Sequence, residues 1–207
     1  MFLEFHKTFI SKGTKSQNKV SLSLNRGEHL SIQGPSGSGK SSYINALLGF
    51  PNILKGEIYF KKNNLKEIDS TAWTLIRRHD FSVVLQSLGL FKDLTVKENI
   101  ELILNLYPEN NFEEISYIKK TLGISEYEFK TVATLSLGEK QRLAICRALI
   151  RPYSILILDE PFSHLDKKNI SKCIGLITES INKNKASLLL TSHHTESRFN
   201  FNKNIDL

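Results

Sequence analysis

Two periods of apolar and polar residues alternate along the chain. Phe2–Phe5 and Val20–Leu24 alternate with the period of a strand, and residues 28–33 (EHLSIQ) do the same before meeting Gly34. Gly56–Lys61 and Phe81–Leu85 are further predicted strands. Two later runs, Ser154–Leu158 and Ala186–Thr191, are almost wholly apolar, as a strand covered on both faces must be. Between the runs the period lengthens. Lys40–Leu48 places Tyr43, Ile44, Leu47 and Leu48 on one helical face. Thr95 to about Leu122 is mostly helical with a break near Tyr107-Pro108, and Glu139–Ile150 and Asp166–Asn182 are amphipathic helices. Buried strands alternating with helices predict an α/β fold with a mainly parallel sheet. The helical stretch from about 87 to 140 interrupts that core, which takes about 1–86 and 141–207. The apolar runs have strand length, and none approaches the ~20 residues of a membrane span.

The sharpest local signal follows the third strand. Residues 34–42 read GPSGSGKSS, that is Gly34, Pro35, Ser36, Gly37, Ser38, Gly39, Lys40, Ser41 and Ser42. The first eight fit G-x-x-x-x-G-K-[ST], with a buried strand before and an amphipathic helix after. A flexible linker needs neither Lys-Ser at that offset nor that flanking context. Gly37 and Gly39 let backbone N–H groups turn inward toward phosphate oxygens, and the helix opening at Lys40 adds its dipole. Lys40 supplies a charge between β- and γ-phosphates, and the Ser41 hydroxyl is placed to ligate Mg²⁺. The stretch predicts a nucleoside triphosphate site, without saying which class of P-loop protein holds it.

A second signal is ILILDEP, 155–161. Its carboxylates emerge at the C-terminal end of a buried strand, where ligands meet open parallel sheets. Asp159 is suited to hold Mg²⁺, and Glu160 to polarise the water that attacks a γ-phosphate. Pro161 is expected to keep Glu160 extended, since the residue before proline is pushed out of α geometry.

Composition adds little and excludes some classes. The chain has 207 residues, a length suited to one domain, and a formal net charge of +7 that favours anionic partners. Its basic pairs are short and scattered, so no nucleic-acid partner is expected. Cys146 and Cys173 match no metal or redox spacing and are expected in the core. The opening MFLEFHKTFISKG has no apolar core behind a basic head, so no export signal is expected.

The segment LSLGEKQRLAICRAL, 135–149, resembles the signature of the ATP-binding cassette (ABC) family, usually LSGGQ followed by a basic amphipathic helix. The resemblance covers essentially the whole chain in the family's order: the P-loop, Gln86 followed by LFKDLTVKEN at 90–99, the signature, ILILDEP, SHLD at 163–166 and TSHH at 191–194. It implies a RecA-like P-loop NTPase core, an N-terminal antiparallel β part and an inserted helical subdomain. It also implies ATP and Mg²⁺ as ligands, with two ATP molecules buried between two cassettes. Ser136 and the Gly138 amide would cap the γ-phosphate held by the partner cassette. Gln86 would approach Mg²⁺ and the attacking water, and His193 would contact the γ-phosphate and orient Glu160. Asp166 would pair across the dimer. Phe9 resembles the aromatic residue that stacks on adenine, with packing beside Phe2 and Phe5 as its alternative role. Leu137 and Glu139 depart from the usual glycine and glutamine, His164 stands where a small residue is common, and His194 where an aspartate often follows.

Three functions compete at this point. A subunit that powers a membrane transporter needs a separate permease and a second cassette. It would be peripheral at the cytoplasmic side of a bacterial inner membrane, with Phe91, Leu94 and the helix from Thr95 as docking residues. A soluble ABC ATPase acting as a scaffold in iron–sulfur cluster assembly is the alternative. A dead regulatory cassette is disfavoured because Lys40, Ser41, Asp159, Glu160 and His193 are all present. The compact form and the region around Gln86 are similar to lipoprotein-release and macrolide-export ATPases, while DEPFSHLD is similar to importer cassettes; cargo belongs to the permease, and the resemblance as a whole points to a small bacterial cassette of the lipoprotein-release or macrolide-export type.

Overall fold

The computed structural model describes residues 1–10, 19–50, 54–108, 111–193 and 197–207. The elements in chain order are β1 (Leu3–Ile10), β2 (Val20–Leu24), β3 (Leu30–Gln33), α1 (Lys40–Leu47), β4 (Leu54–Phe60), β5 (Asn63–Asn64), α2 (Ser70–His79) and β6 (Phe81–Val84). There follow α3 (Val96–Leu104), α4 (Phe112–Thr121), α5 (Leu137–Leu149), β7 (Ile155–Asp159), α6 (Lys167–Asn184), β8 (Ser187–Ser192) and β9 (Lys203–Asp206). Short 3₁₀ turns at Ser125–Tyr127 and Val132–Thr134 precede α5.

Two sheets form. One is antiparallel in the order β2-β1-β4-β5, and the other is parallel in the order β6-β7-β8-β3-β9. The apolar run of β7 shows why the parallel sheet lies in the middle. Ile155 and Ile157 join a core with Ile32, Leu189, Tyr43, Phe5 and Phe60, beneath α1 and the antiparallel sheet. Leu156 and Leu158 join a second core with Leu188, Leu190, Cys146 and Ile177, beneath α5 and α6. Alternate side chains of a strand face opposite ways, so β7, covered on both sides, is apolar at four successive positions. The second core continues through Val96, Ile100, Ile118 and Leu122, which ties α3 and α4 to the signature helix.

Helix ends follow side-chain caps. Helix α5 starts at Leu137 rather than at Glu139, because Ser136 caps it and Glu139 closes the capping box from the third position. Thr95 and Glu98 do the same for α3. The break near Pro108 is wider than one kink: α3 ends at Leu104 and α4 begins only after Asn111, whose side chain accepts from the Glu113 and Glu114 N–H groups. Three elements carry too little pattern to be anticipated, and the first, β5, is only two residues long. Helix α2 buries Trp73 as its main anchor, and the edge strand β9 buries Ile205 alone among four residues.

Burial pushes the thiols of Cys146 and Cys173 up to about 12. A thiolate is the reactive form, so at pH 8 the folded protein should show no thiol reacting with a disulfide reagent within minutes, and two after denaturation. A fast-reacting native thiol would contradict the packing of α5 or α6.

Candidate functional site

Strand β3 ends at Gln33, in register with Ser192 of β8, and the chain turns at Gly34. A Cβ on Gly34 would lie 2.7 Å from the Leu207 carbonyl oxygen and 2.6 Å from Ser38 Oγ, so no other residue fits this turn. Pro35, Ser36 and Gly37 form the exposed outer arc, and Ser38 and Gly39 return the chain, half-buried, to α1. Gly39, at φ 105, is the N-cap of α1 and offers no side-chain cap, and the first turn holds no acid. The other described helices are capped by Asp69, Thr95, Asn111, Ser136 and Asp166. A helix leaves its first N–H groups without intrahelical partners. At α1 they remain for an anion, at the end where the dipole favours one.

Lys40 is the cation of this loop. Its amine is nearly buried and donates to the carbonyls of Gly34 at 2.8 Å and Pro35 at 3.1 Å, and it lies 3.1 Å from Glu160 Oε1. Ser41 and Ser42 stand half-buried in the first turn of α1.

The carboxylates come from β7, which lies across β8 from β3. Asp159 pairs in register with Thr191, and its Oδ1 accepts the Thr191 hydroxyl at 2.6 Å, where both side chains are buried. The Glu160 N–H donates to the same Thr191 oxygen at 3.1 Å. His193, just beyond β8, places Nε2 3.2 Å from Glu160 Oε2. The Glu160 carboxylate thus lies between a lysine of the P-loop and a histidine of the last central strand. Glu160 is not extended as its neighbour Pro161 predicted: its φ is 50°. The bonds of its N–H to Thr191 and of its carboxylate to Lys40 and His193 hold it in this left-handed conformation, against a cost of about 1–3 kcal/mol.

The remaining predicted residues lie apart from this cluster. Gln86 is exposed in the turn after β6, closed by the Leu88 N–H donating to the Leu85 carbonyl at 2.8 Å. Phe9 is half-buried on β1 with the Lys19 amine 5.9 Å from its ring centroid. At the head of α5, the Ser136 hydroxyl and N–H donate to Glu139 Oε2 at 2.7 and 2.8 Å. These bonds hold the Glu139 carboxyl below its usual range. Gly138 lies in the first turn of α5, and Leu137 beside it is exposed. Asp166 caps α6 by accepting from the Asn169 N–H at 2.8 Å. His194 lies outside the described residues.

Two further residues belong to the site. Thr191 ends a buried strand, and a polar residue in register with a strand-end aspartate is a legible pairing. Gln141 follows the signature and is buried on α5; its amide Nε2 donates to the Glu160 carbonyl at 3.2 Å. No local spacing announces that contact.

Residues 17–163 match the family described as ABC transporter. The thiamine import ATP-binding protein ThiQ of Shigella sonnei (strain Ss046) is 36% identical over 181 residues, which cover 86% of this chain and 75% of ThiQ. ThiQ of Escherichia coli (strain K12) is 35% identical over the same length. Among solved structures, the dimeric post-hydrolysis state of the ATP-binding cassette MJ0796, bound to ADP and Pi, superposes with a TM-score of 0.76 at 28% identity. That match covers 93% of this chain and 88% of MJ0796.

Thr191→Val should keep the shape of β8 and strip the buried Asp159 carboxylate of its hydroxyl donor. A hydrogen bond to a charged group contributes about 1.5–3 kcal/mol, so the variant should lose about that much stability in denaturant unfolding. An unchanged midpoint would show that Asp159 does not depend on this bond.

Proposed function

The chain belongs to the ABC transporter family, and we propose that Glu160 is the general base of its ATPase site, with Lys40 and His193 at its two carboxylate oxygens. The protein is an ATP-binding and ATP-hydrolysing subunit that powers an ABC transporter, with ATP held between two cassettes. The observation that carries the residue assignment is the Lys40–Glu160–His193 contact at the open end of three adjacent parallel strands.

The chemistry follows from those contacts. The β- and γ-phosphates enter over the uncapped start of α1 and take the Lys40 amine, which frees Glu160. His193, on the other carboxylate oxygen, keeps Glu160 aimed at the γ-phosphate. A water attacks the γ-phosphorus and gives its proton to Glu160, and the bond to the ADP oxygen breaks. Ser41 hydroxyl and Asp159 carboxylate are hard oxygen donors of the kind Mg²⁺ takes. The buried Asp159 carboxylate, with one oxygen on Thr191, fits that role. Bound there, Mg²⁺ would neutralise charge on the phosphates. Gln86 is assigned to the same ion and to the attacking water, and Phe9 to the adenine. The partner cassette's ATP is assigned to Ser136 and the Gly138 amide, with Asp166 pairing across the interface. In that state Glu139 has to yield the Ser136 hydroxyl.

The permease is assigned to a separate chain; no described helix of this one is long and apolar enough to cross a membrane. Its docking surface is assigned to the groove beside the Gln86 turn, about 130 Å³ and lined by Leu85, Leu88, Gly89, Ile103 and Arg147. Phe91, half-exposed under the Arg147 guanidinium, stands with Leu75, Leu102 and Leu106 among the large apolar side chains left in solvent. Leu94 is half-buried and contributes less. Through this contact the protein would lie peripherally at the cytoplasmic face of a bacterial inner membrane. The relatives named for thiamine import favour an importer as the complex it serves.

Glu160→Gln should keep ATP binding, lower hydrolysis by roughly 10²-fold or more and accumulate an ATP-bound dimer in gel filtration; normal turnover would remove Glu160 from the role of base. Mild-detergent purification from native membranes should bring down a multi-span partner in stoichiometric amount. A protein absent from the membrane fraction, with soluble partners only, would remove the transporter assignment and leave the ATP chemistry.

A further inference from the structure

Gln141 is buried on the second turn of α5, 2% exposed, yet every polar atom of its amide is engaged. Nε2 donates to the main-chain oxygen of Glu160 at 3.2 Å and reaches Ser163 Oγ at 3.3 Å, and Oε1 accepts the His164 N–H at 3.0 Å. One side chain therefore bonds both ends of the loop that runs from the β7 carboxylates toward α6. One turn earlier on the same helix face, Gly138 lies against this loop so closely that a Cβ there would be 2.9 Å from the His164 carbonyl oxygen. Helix α5 and the 160–164 loop are locked at two levels. The residue at the near end of that lock, Glu160, is held in a left-handed conformation at φ 50°.

We propose that Gln141 is a positioning residue that couples the two ATP sites of the dimer. The inference rests on the composite site proposed above, in which the head of α5 meets the partner's ATP while Glu160 acts on the ATP of its own P-loop. Engagement of Ser136 moves or steadies α5. The Gln141 amide passes that displacement to the Glu160 carbonyl and to the loop before Asp166, over a path of one helical turn. The residue type is dictated by the contacts. A carbonyl oxygen and an N–H are met at once by a side chain that is itself buried, which needs a donor and an acceptor on one short planar group. A hydrocarbon side chain would leave both backbone groups unpaired. A carboxylate would keep the His164 bond and lose both donations.

The test compares Gln141→Met, close in size without polar atoms, with Gln141→Glu, which retains the acceptor should the first variant fold poorly. In both, a fluorescent ATP analogue should bind the isolated cassette within about twofold of wild type, because α1 and the P-loop are untouched. The kcat should fall roughly tenfold to a hundredfold, as expected when a reacting group is misplaced by about an ångström. The Hill coefficient for ATP should drop from near the two-site limit of about 2 toward about 1. A purely structural role would lower stability without moving that coefficient. Ser136→Arg, which blocks the head of α5, is the control. Should Ser136→Arg hydrolyse ATP cooperatively like wild type, the composite site fails and this coupling with it. Should Ser136→Arg be inactive while both Gln141 variants keep wild-type kcat and cooperativity, the coupling role alone is overturned.

Discussion

The parallel pairing of β8 with β7 on one side and β3 on the other is the constraint on which the rest depends. Its register sets Asp159 opposite Thr191 and Gln33 opposite Ser192, so three strands end level at one edge. The P-loop leaves one of them, the carboxylates another and His193 the third. Leu30 and Ile32 of β3, the ILIL run of β7 and the LLL run of β8 are buried, and that burial fixes the register, since a slip of one residue would exchange the two cores. The chemistry at the sheet edge is thus held in place by hydrocarbon packing several residues away.

Charge at that edge is balanced by groups of the protein itself. Lys40 has little access to water, and two carbonyls and a carboxylate stand in for it. An unpaired buried ammonium would be costly, and Glu160 supplies its counter-charge. In the proposed mechanism phosphate takes the same amine from Glu160, because it brings more negative charge. A similar substitution is built into the signature, where the Glu139 carboxylate occupies the Ser136 hydroxyl and N–H. Both helix starts carry a carboxylate beside them. At α1 it comes from the end of β7, at α5 from the helix's own first turn.

Helix α5 joins these two ends. Its first turn carries the signature, its buried face packs with Leu156 and Leu158 in one core, and Gln141 bonds the main chain of Glu160. The helices α3 and α4 are fastened to the same core through Val96, Ile100 and Ile118, so the groove proposed for the permease shares its packing with the helix that carries the signature.

Much of this was legible in the sequence alone. The runs ILIL and LLL, with their helices, implied a parallel sheet buried on both faces, because periodicity reports burial directly. GPSGSGKS and the strand-end Asp159 and Glu160 implied the phosphate site, because that chemistry needs fixed residue types at fixed spacing. The LSLGEKQR stretch added the family. What the sequence withheld depends on contacts between distant segments. The left-handed Glu160 could not be read from the proline beside it, since Thr191, Lys40 and His193, which hold it, come from other parts of the chain. Helix α2 and strand β9 bury too few side chains to leave a pattern. Gln141 looked like one more polar residue on a basic helix. Its meaning arises only when tertiary packing buries its amide against the 160–164 loop, where each of its polar atoms must find a partner.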